Sequence, residues 1–147
     1  MSAQEQSQLG DARFVLDAHA VLAMLGKEPG GDVVQAICAD AQNAIWISSV
    51  NLGEVYYILL RRRGEPAAAR VEAALRQQAN LRVVDATWER ARGAAAVKAH
   101  GGLSFAHAFA VALARECSAL LVTGDPEYRS WERSGEIRVL WLDGSPG

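Results

Sequence analysis

The sequence predicts an α/β fold, a central parallel sheet of about five short strands with helices on both faces. Compact apolar runs recur along the chain: Phe14-Val15-Leu16, Ala44-Ile45-Trp46-Ile47, Leu81-Arg82-Val83-Val84, Ala119-Leu120-Leu121-Val122 and Ile137-Arg138-Val139-Leu140. They are too short for helices, and the first is too apolar for a solvated edge, so they read as buried strands of a parallel sheet. Longer stretches with apolar residues at helical spacing separate them, and strands alternating with helices argue for parallel pairing through crossovers. Acids also stand where strands stop: Asp17 ends the first run and Asp125 follows the fourth. In open α/β sheets the crevice outside the carboxyl ends of the strands is where ligands bind.

A chain of 147 residues fits one domain with a single core. Hydrophobic residues at 50% and charged residues at 22% exclude a disordered chain. A net charge of −2 argues against binding nucleic acid by bulk charge, so phosphate contacts would come from local clusters such as Arg61-Arg62-Arg63. That run reads equally as a solvated helix end, where cations suit the dipole. Cys38 and Cys117 stand far apart with no CxxC and read as core thiols, not as metal ligands or a disulfide. Residues 1–12 are polar, lack the pattern of a signal peptide and are expected to form a disordered tail. The domain is expected over residues 13–143, with a short tail at 144–147. No apolar run is long enough to cross a membrane, and a reducing, cytoplasmic setting is the default expectation.

Taken in order, the first strand leads into a short helix over Ala20 to Lys27, broken at Glu28-Pro29-Gly30-Gly31. Asp17 admits two readings, an N-cap for the N–H of Ala20 or Val21, or a chemical group at the sheet's rim. Val33, Val34, Ile37, Cys38 and Ala41 recur at helical spacing before the second strand. Ser48 can then cap a helix that runs to the arginines before Gly64. Glu54 lies four residues after Val50 and four before Ile58, inside the apolar stripe of that helix. A carboxylate there needs a cationic partner, or it reaches solvent from the stripe's edge.

An Ala-rich helix over Glu65 to Gln78, the third strand and a helix from Thr87 to His100 carry the chain across the sheet, and Gly101-Gly102 stops the last of these. Ser104 caps the most regular helix in the chain, whose apolar face carries His107 between Leu103 and Val111. A lone histidine there is a hydrogen-bonded core residue or a ligand. After the fourth strand comes Thr123-Gly124-Asp125-Pro126, where Asp125 is either an ordinary N-cap before a proline or a second acid at the rim.

Right-handed crossovers bring successive strand ends to one rim. Asp17 and Asp125 share it, and Glu54 can point at the same crevice. Clustered carboxylates repel one another, and a divalent cation with a preference for oxygen, Mg²⁺ or Mn²⁺, relieves this. Such a site suits metal-assisted phosphodiester hydrolysis.

Three stretches carry a resemblance: Phe14-Val15-Leu16-Asp17-Ala18-His19-Ala20, Ser48-Ser49-Val50-Asn51-Leu52-Gly53-Glu54 and Leu121-Val122-Thr123-Gly124-Asp125-Pro126. Their order and spacing over nearly the whole chain resemble the PIN-domain ribonucleases, and among them the short VapC-like toxins of bacterial toxin–antitoxin pairs. The resemblance implies a three-layer α/β/α fold and a metal-dependent endoribonuclease. It implies Asp17, Glu54 and Asp125 as metal ligands, Thr123 as their support, single-stranded or structured RNA as substrate, a cognate antitoxin as partner and a homodimer as assembly. Gly102-Leu103-Ser104-Phe105-Ala106-His107-Ala108-Phe109 resembles the family's third acidic motif, but its acid is here His107. The imidazole removes a negative charge and offers a softer ligand, which weakens Mg²⁺ binding and stays compatible with Mn²⁺ or Zn²⁺. His107 thus separates the leading expectation, a ribonuclease, from a PIN-like module that binds RNA or protein without cutting. A phosphoacceptor domain also places acids at strand ends, but it needs a late lysine; the last lysine is Lys98.

Overall fold

The computed structural model describes residues 12–142; the tails expected at 1–12 and 144–147 lie, apart from Ala12, outside the described residues, as does residue 143. Strand β1 (Arg13–Leu16) leads into helices α1 (Ala18–Leu25) and α2 (Gly31–Ala39). Strand β2 (Ala44–Ser48) is followed by α3 (Ser49–Arg63) and α4 (Glu65–Gln77), and β3 (Leu81–Val84) by α5 (Trp88–Ala99) and α6 (Phe105–Cys117). Strand β4 (Leu120–Thr123) runs into a 3₁₀ turn (Pro126–Tyr128), α7 (Arg129–Arg133) and β5 (Arg138–Trp141).

The strands form one five-stranded sheet in the order β3-β2-β1-β4-β5, and every pairing in it is parallel. The period-2 alternation of a strand divides the core between the two faces. Leu16 joins Val21, Val34, Val55 and Leu75 on the α1–α4 side, whereas Val15 joins Val97, Val111 and Trp131 on the α5–α7 side. Val15, Leu16, Ile47, Leu121 and Val122 are fully buried, and each such side chain contributes roughly 1.5–3 kcal/mol through removal from water.

Local signals set most helix starts. Ser48 Oγ accepts the Val50 N–H at 3.2 Å and Ser104 Oγ accepts the His107 N–H at 3.1 Å, so the expected caps begin α3 and α6. Helix α1 begins at Ala18, two residues before its expected start, because the Asp17 cap directly adjoins the end of β1. The last two strands lie one residue later than the apolar runs suggest. Their limits follow the ladder, in which Leu120 pairs with Arg138 and Thr123 with Trp141. Helix α7 was not foreseen; it is a single turn anchored by Trp131, which is buried.

The strand order positions the site. From β1 the chain builds outward through β2 to β3, then returns to β4 on the other side of β1. The β1–β4 boundary is therefore the switch point where a crevice opens beyond the strand ends. Leu16 pairs with Val122 at that boundary, so the next residues, Asp17 and Thr123, face each other across it.

Candidate active site

Asp17 serves as cap and rim acid at once. It is 1% exposed; Oδ1 accepts the Ala20 N–H at 2.9 Å and Oδ2 accepts the Thr123 hydroxyl at 2.6 Å. Burial pushes its carboxyl above the ordinary carboxylate range, and the Thr123 and Ala20 hydrogen bonds and the His19 and His107 imidazoles pull the other way. Thr123 is itself fully buried, and its oxygen accepts the Asp125 N–H at 3.0 Å, which ties the two acids together through one hydroxyl.

Asp125 caps the 3₁₀ turn, with Oδ1 accepting the Glu127 N–H at 2.9 Å. Its Oδ2 lies 3.3 Å from His107 Nε2. The other ring nitrogen, Nδ1, is buried and lies 3.0 Å from Glu127 Oε2, without the alignment of a hydrogen bond. Glu127 is held by its second oxygen, which accepts the Ser104 N–H at the start of α6. The imidazole thus sits between two carboxylates, with its ring tilted against Tyr128 at 4.7 Å.

Glu54 reaches the crevice from α3. Its Oε1 accepts from Asn51 Nδ2 at 3.2 Å, and the same amide donates to the Ala106 carbonyl at 3.1 Å, which links α3 to the first turn of α6. Asn51 is fully buried and its Oδ1 has no partner. Tyr128, also fully buried, shows the convergence most directly. Burial drives its phenol far above the ordinary range, and the charges of Asp17, Asp125 and Glu54 act in the same sense, Asp17 most strongly. The charges of three acids from three separate segments therefore act on one phenol. Its hydroxyl faces Asp17, whose hydrogen bond acts in the same direction.

The residues singled out from sequence all stand at this rim, but they do not form one equal cluster. The ligand atoms of His107, Asp125 and Glu127 lie within 4.8 Å of one another. Asp17 connects to Asp125 through Thr123, and Glu54 is tied through Asn51 to the Ala106 carbonyl at the start of α6. Sequence reasoning missed Glu127 and Tyr128. Their signal was faint: a second acid two residues after Asp125, then a single aromatic between charged residues. It also passed over His19, whose Nδ1 accepts the Gly124 N–H at 3.2 Å. A Cβ at Gly124 would lie 2.5 Å from the exposed His19 ring, so a larger residue there would displace that ring.

The donor chemistry fits a divalent cation. Carboxylates gathered in a partly buried crevice repel one another, and Asn51 Oδ1 is a further buried oxygen with no partner among the described residues.

An acid-lined crevice at the switch point of a parallel sheet, flanked by helices on both faces, defines the class of this protein. Residues 14–133 match the family model described as PIN domain, and the chain belongs to that family. No curated protein matches the sequence. Among solved structures, it is similar to VapC20 of Mycobacterium tuberculosis, described as a sarcin–ricin loop cleaving toxin. That match has 21% identity and a TM-score of 0.67, over 90% of this chain and 99% of the other. It is also similar to DNA-bound VapBC from Salmonella typhimurium, at 18% identity and a TM-score of 0.66, covering 88% of this chain and 98% of that one. VapBC2 from Rickettsia felis, bound to a promoter fragment, matches at 16% identity and a TM-score of 0.64 over 89% and 99%. At these identities the likeness is one of fold.

Proposed function

We propose that this protein is a metal-dependent endoribonuclease toxin that hydrolyses phosphodiester bonds of single-stranded or structured RNA. The observation that carries the reading is that the Thr123 hydroxyl ties Asp17 to Asp125, with Glu54 held by Asn51 against the start of α6, at the switch point of a PIN fold. In this reading Asp17, Glu54 and Asp125 hold Mg²⁺ or Mn²⁺. An ion held there would supply an activated water and charge neutralisation for the phosphate. The chain's own residues position that ligand set. Thr123 fixes one oxygen of Asp17, Asn51 fixes one oxygen of Glu54 against the Ala106 carbonyl, and His107 braces Asp125. The VapBC complexes among the fold's neighbours support a cognate antitoxin as partner, and the reading includes a homodimer.

The test is cleavage of a single-stranded RNA by metal-stripped protein with Mg²⁺ or Mn²⁺ added back. The expected result is cleavage only with the metal and none in excess EDTA. Cleavage that survives chelation, or Asp17→Asn with the parental rate, would overturn it. Purification from the native host is expected to yield a small co-purifying protein and a dimer on gel filtration; a lone monomer at micromolar concentration counts against the partners.

One observation favours a second reading, a PIN-like module that binds RNA or protein without cutting. An imidazole stands between Asp125 and Glu127 where the family resemblance implies a third acid. RNA binding with no cleavage in either metal would select it.

A further inference from the structure

A second imidazole at this rim has no part in the proposed ligand set. His19 lies in the first turn of α1, two residues after Asp17, and is exposed. Leu16 pairs with Val122, so the turn that follows β1 faces the turn that follows β4, and the Gly124 N–H donates across that boundary to His19 Nδ1 at 3.2 Å. The ring lies against the Gly124 backbone: a Cβ there would be 2.5 Å from Cε1 and 3.1 Å from Nε2. His19 is thereby held against the segment that carries Thr123 and Asp125.

That hydrogen bond fixes the chemistry of the other ring nitrogen. A backbone N–H needs a lone pair to donate to, so Nδ1 carries no proton, and the neutral imidazole keeps its single proton on Nε2. Nε2–H is therefore a donor, and it has no hydrogen-bond partner among the described residues. Neighbouring side-chain donors are spent within the crevice. The Thr123 hydroxyl goes to Asp17, the Asn51 amide goes to Glu54 and the Ala106 carbonyl, and the His107 ring stands between Asp125 and Glu127. Carboxylates repel a polyanion, so a donor held at the mouth of an acid-lined crevice is where a phosphate oxygen gains a contact.

We propose that His19 is a substrate-binding residue whose Nε2–H donates to a non-bridging phosphate oxygen of an RNA backbone entering the crevice. The inference rests on the reading proposed for this crevice in one respect, that RNA enters it, and it holds whether or not the RNA is then cut. A contact to a phosphate oxygen positions the strand without reading its sequence, so His19 sets how RNA is held and not which RNA is chosen. Gly124 is the orienting partner: its N–H selects the tautomer that leaves the donor on the outward nitrogen.

Two substitutions separate this role from a structural one. An asparagine amide at position 19 takes the place of Nδ1 and keeps an acceptor for Gly124, whereas a glutamine amide reaches the place of Nε2 and keeps the outward donor. The quantity measured is the concentration of full-length protein that half-saturates a labelled single-stranded RNA, read by fluorescence anisotropy in EDTA and by the concentration dependence of single-turnover cleavage in Mg²⁺. His19→Asn is expected to raise it by about 10-fold, equally for two RNAs of unrelated sequence, and His19→Gln is expected to recover most of that loss. A melting curve confirms that both variants are folded. A merely structural histidine would reverse the ranking, with asparagine tolerated and glutamine not. Parental half-saturation in His19→Asn, equal losses in the two variants, or RNA that the parent protein neither binds nor cuts overturns the proposal. RNA binding that needs His19 but leads to no cleavage in any metal sinks only the ribonuclease reading, and Mg²⁺-dependent cleavage with parental half-saturation in His19→Asn sinks only this one.

Discussion

The two rims of the sheet both gather polar side chains, and they use them in opposite ways. At the amino-terminal rim a depression of about 1110 Å³ is lined in part by Asn43, Gln78 and Asn80. Each of these amides is spent on the backbone. Gln78 donates to the Cys38 carbonyl at 2.7 Å, Asn80 to the Asp40 carbonyl at 2.9 Å and Asn43 to the Ile37 carbonyl at 2.9 Å, which closes the end of α2 against the loop before β3. At the carboxyl-terminal rim the polar groups are acids, an imidazole and a phenol, and one buried oxygen there, Asn51 Oδ1, has no partner among the described residues. The hollow at the amino-terminal rim is therefore a structural one. Neutral amides satisfied by carbonyls hold a fold together, whereas clustered charge with an orphaned oxygen stores an unmet demand for a cation.

The largest test of this contrast is a paired one. Asp17→Asn is expected to lower RNA cleavage by at least about 100-fold, since even outer partners of a metal matter by roughly 10–100-fold. Asn80→Ala at the opposite rim is expected to leave it unchanged. Equal losses in a single-turnover assay would erase the distinction between the rims. His107→Asp sharpens the comparison from the other side by adding a hard oxygen to the crevice. Mg²⁺ affinity and cleavage are expected to rise by roughly 10–100-fold, together with toxicity on expression. Identical Mg²⁺ isotherms and rates in the two proteins would mark His107 as a packing residue.

Stability should show the reverse ranking. Asn80→Ala removes the donor to the Asp40 carbonyl and is expected to cost about 1 kcal/mol, a fall in Tm of roughly 2–4 °C in a thermal melt. An unchanged Tm would mean that water replaces the amide without loss. The smallest effect is expected from Asp17→Asn in the metal-free protein. Burial raises the folded carboxyl above its ordinary 3.8, so folding takes up protons. The stability Asp17 contributes is complete below 3.8 and is lost as pH rises through the raised folded value. In EDTA the variant should therefore melt higher than the parent at neutral pH, with the gap closing on acidification. Added Mg²⁺ should reverse the order by stabilising the parent alone. A gap that is constant with pH would show that Asp17 is not buried as a charge.

Much of this fold is legible because it is local. The strand β3 lies where its apolar run stands, Ser48 and Ser104 cap the helices they precede, and Asp17 and Asp125 stop at strand ends, since caps and strand limits are decided within a turn of chain. The start of α1, the one-residue offsets of β4 and β5, and the helix α7 depended on ladder pairing and on the burial of Trp131, which no local window contains. The site divides the same way. Asp17, Glu54, His107 and Asp125 announce themselves as polar residues at rims or on apolar faces. The sequence by itself determined an α/β chain with acids at strand ends and an imidazole on an otherwise apolar helix face. Only the tertiary structure decided that β4 returns beside β1, that Glu127 Oε2 reaches within 3.0 Å of His107 Nδ1, and that Tyr128 ends buried beside Asp17. Those relations join residues far apart in the chain, and their distances follow from strand order and helix docking, which no pattern of local spacing encodes.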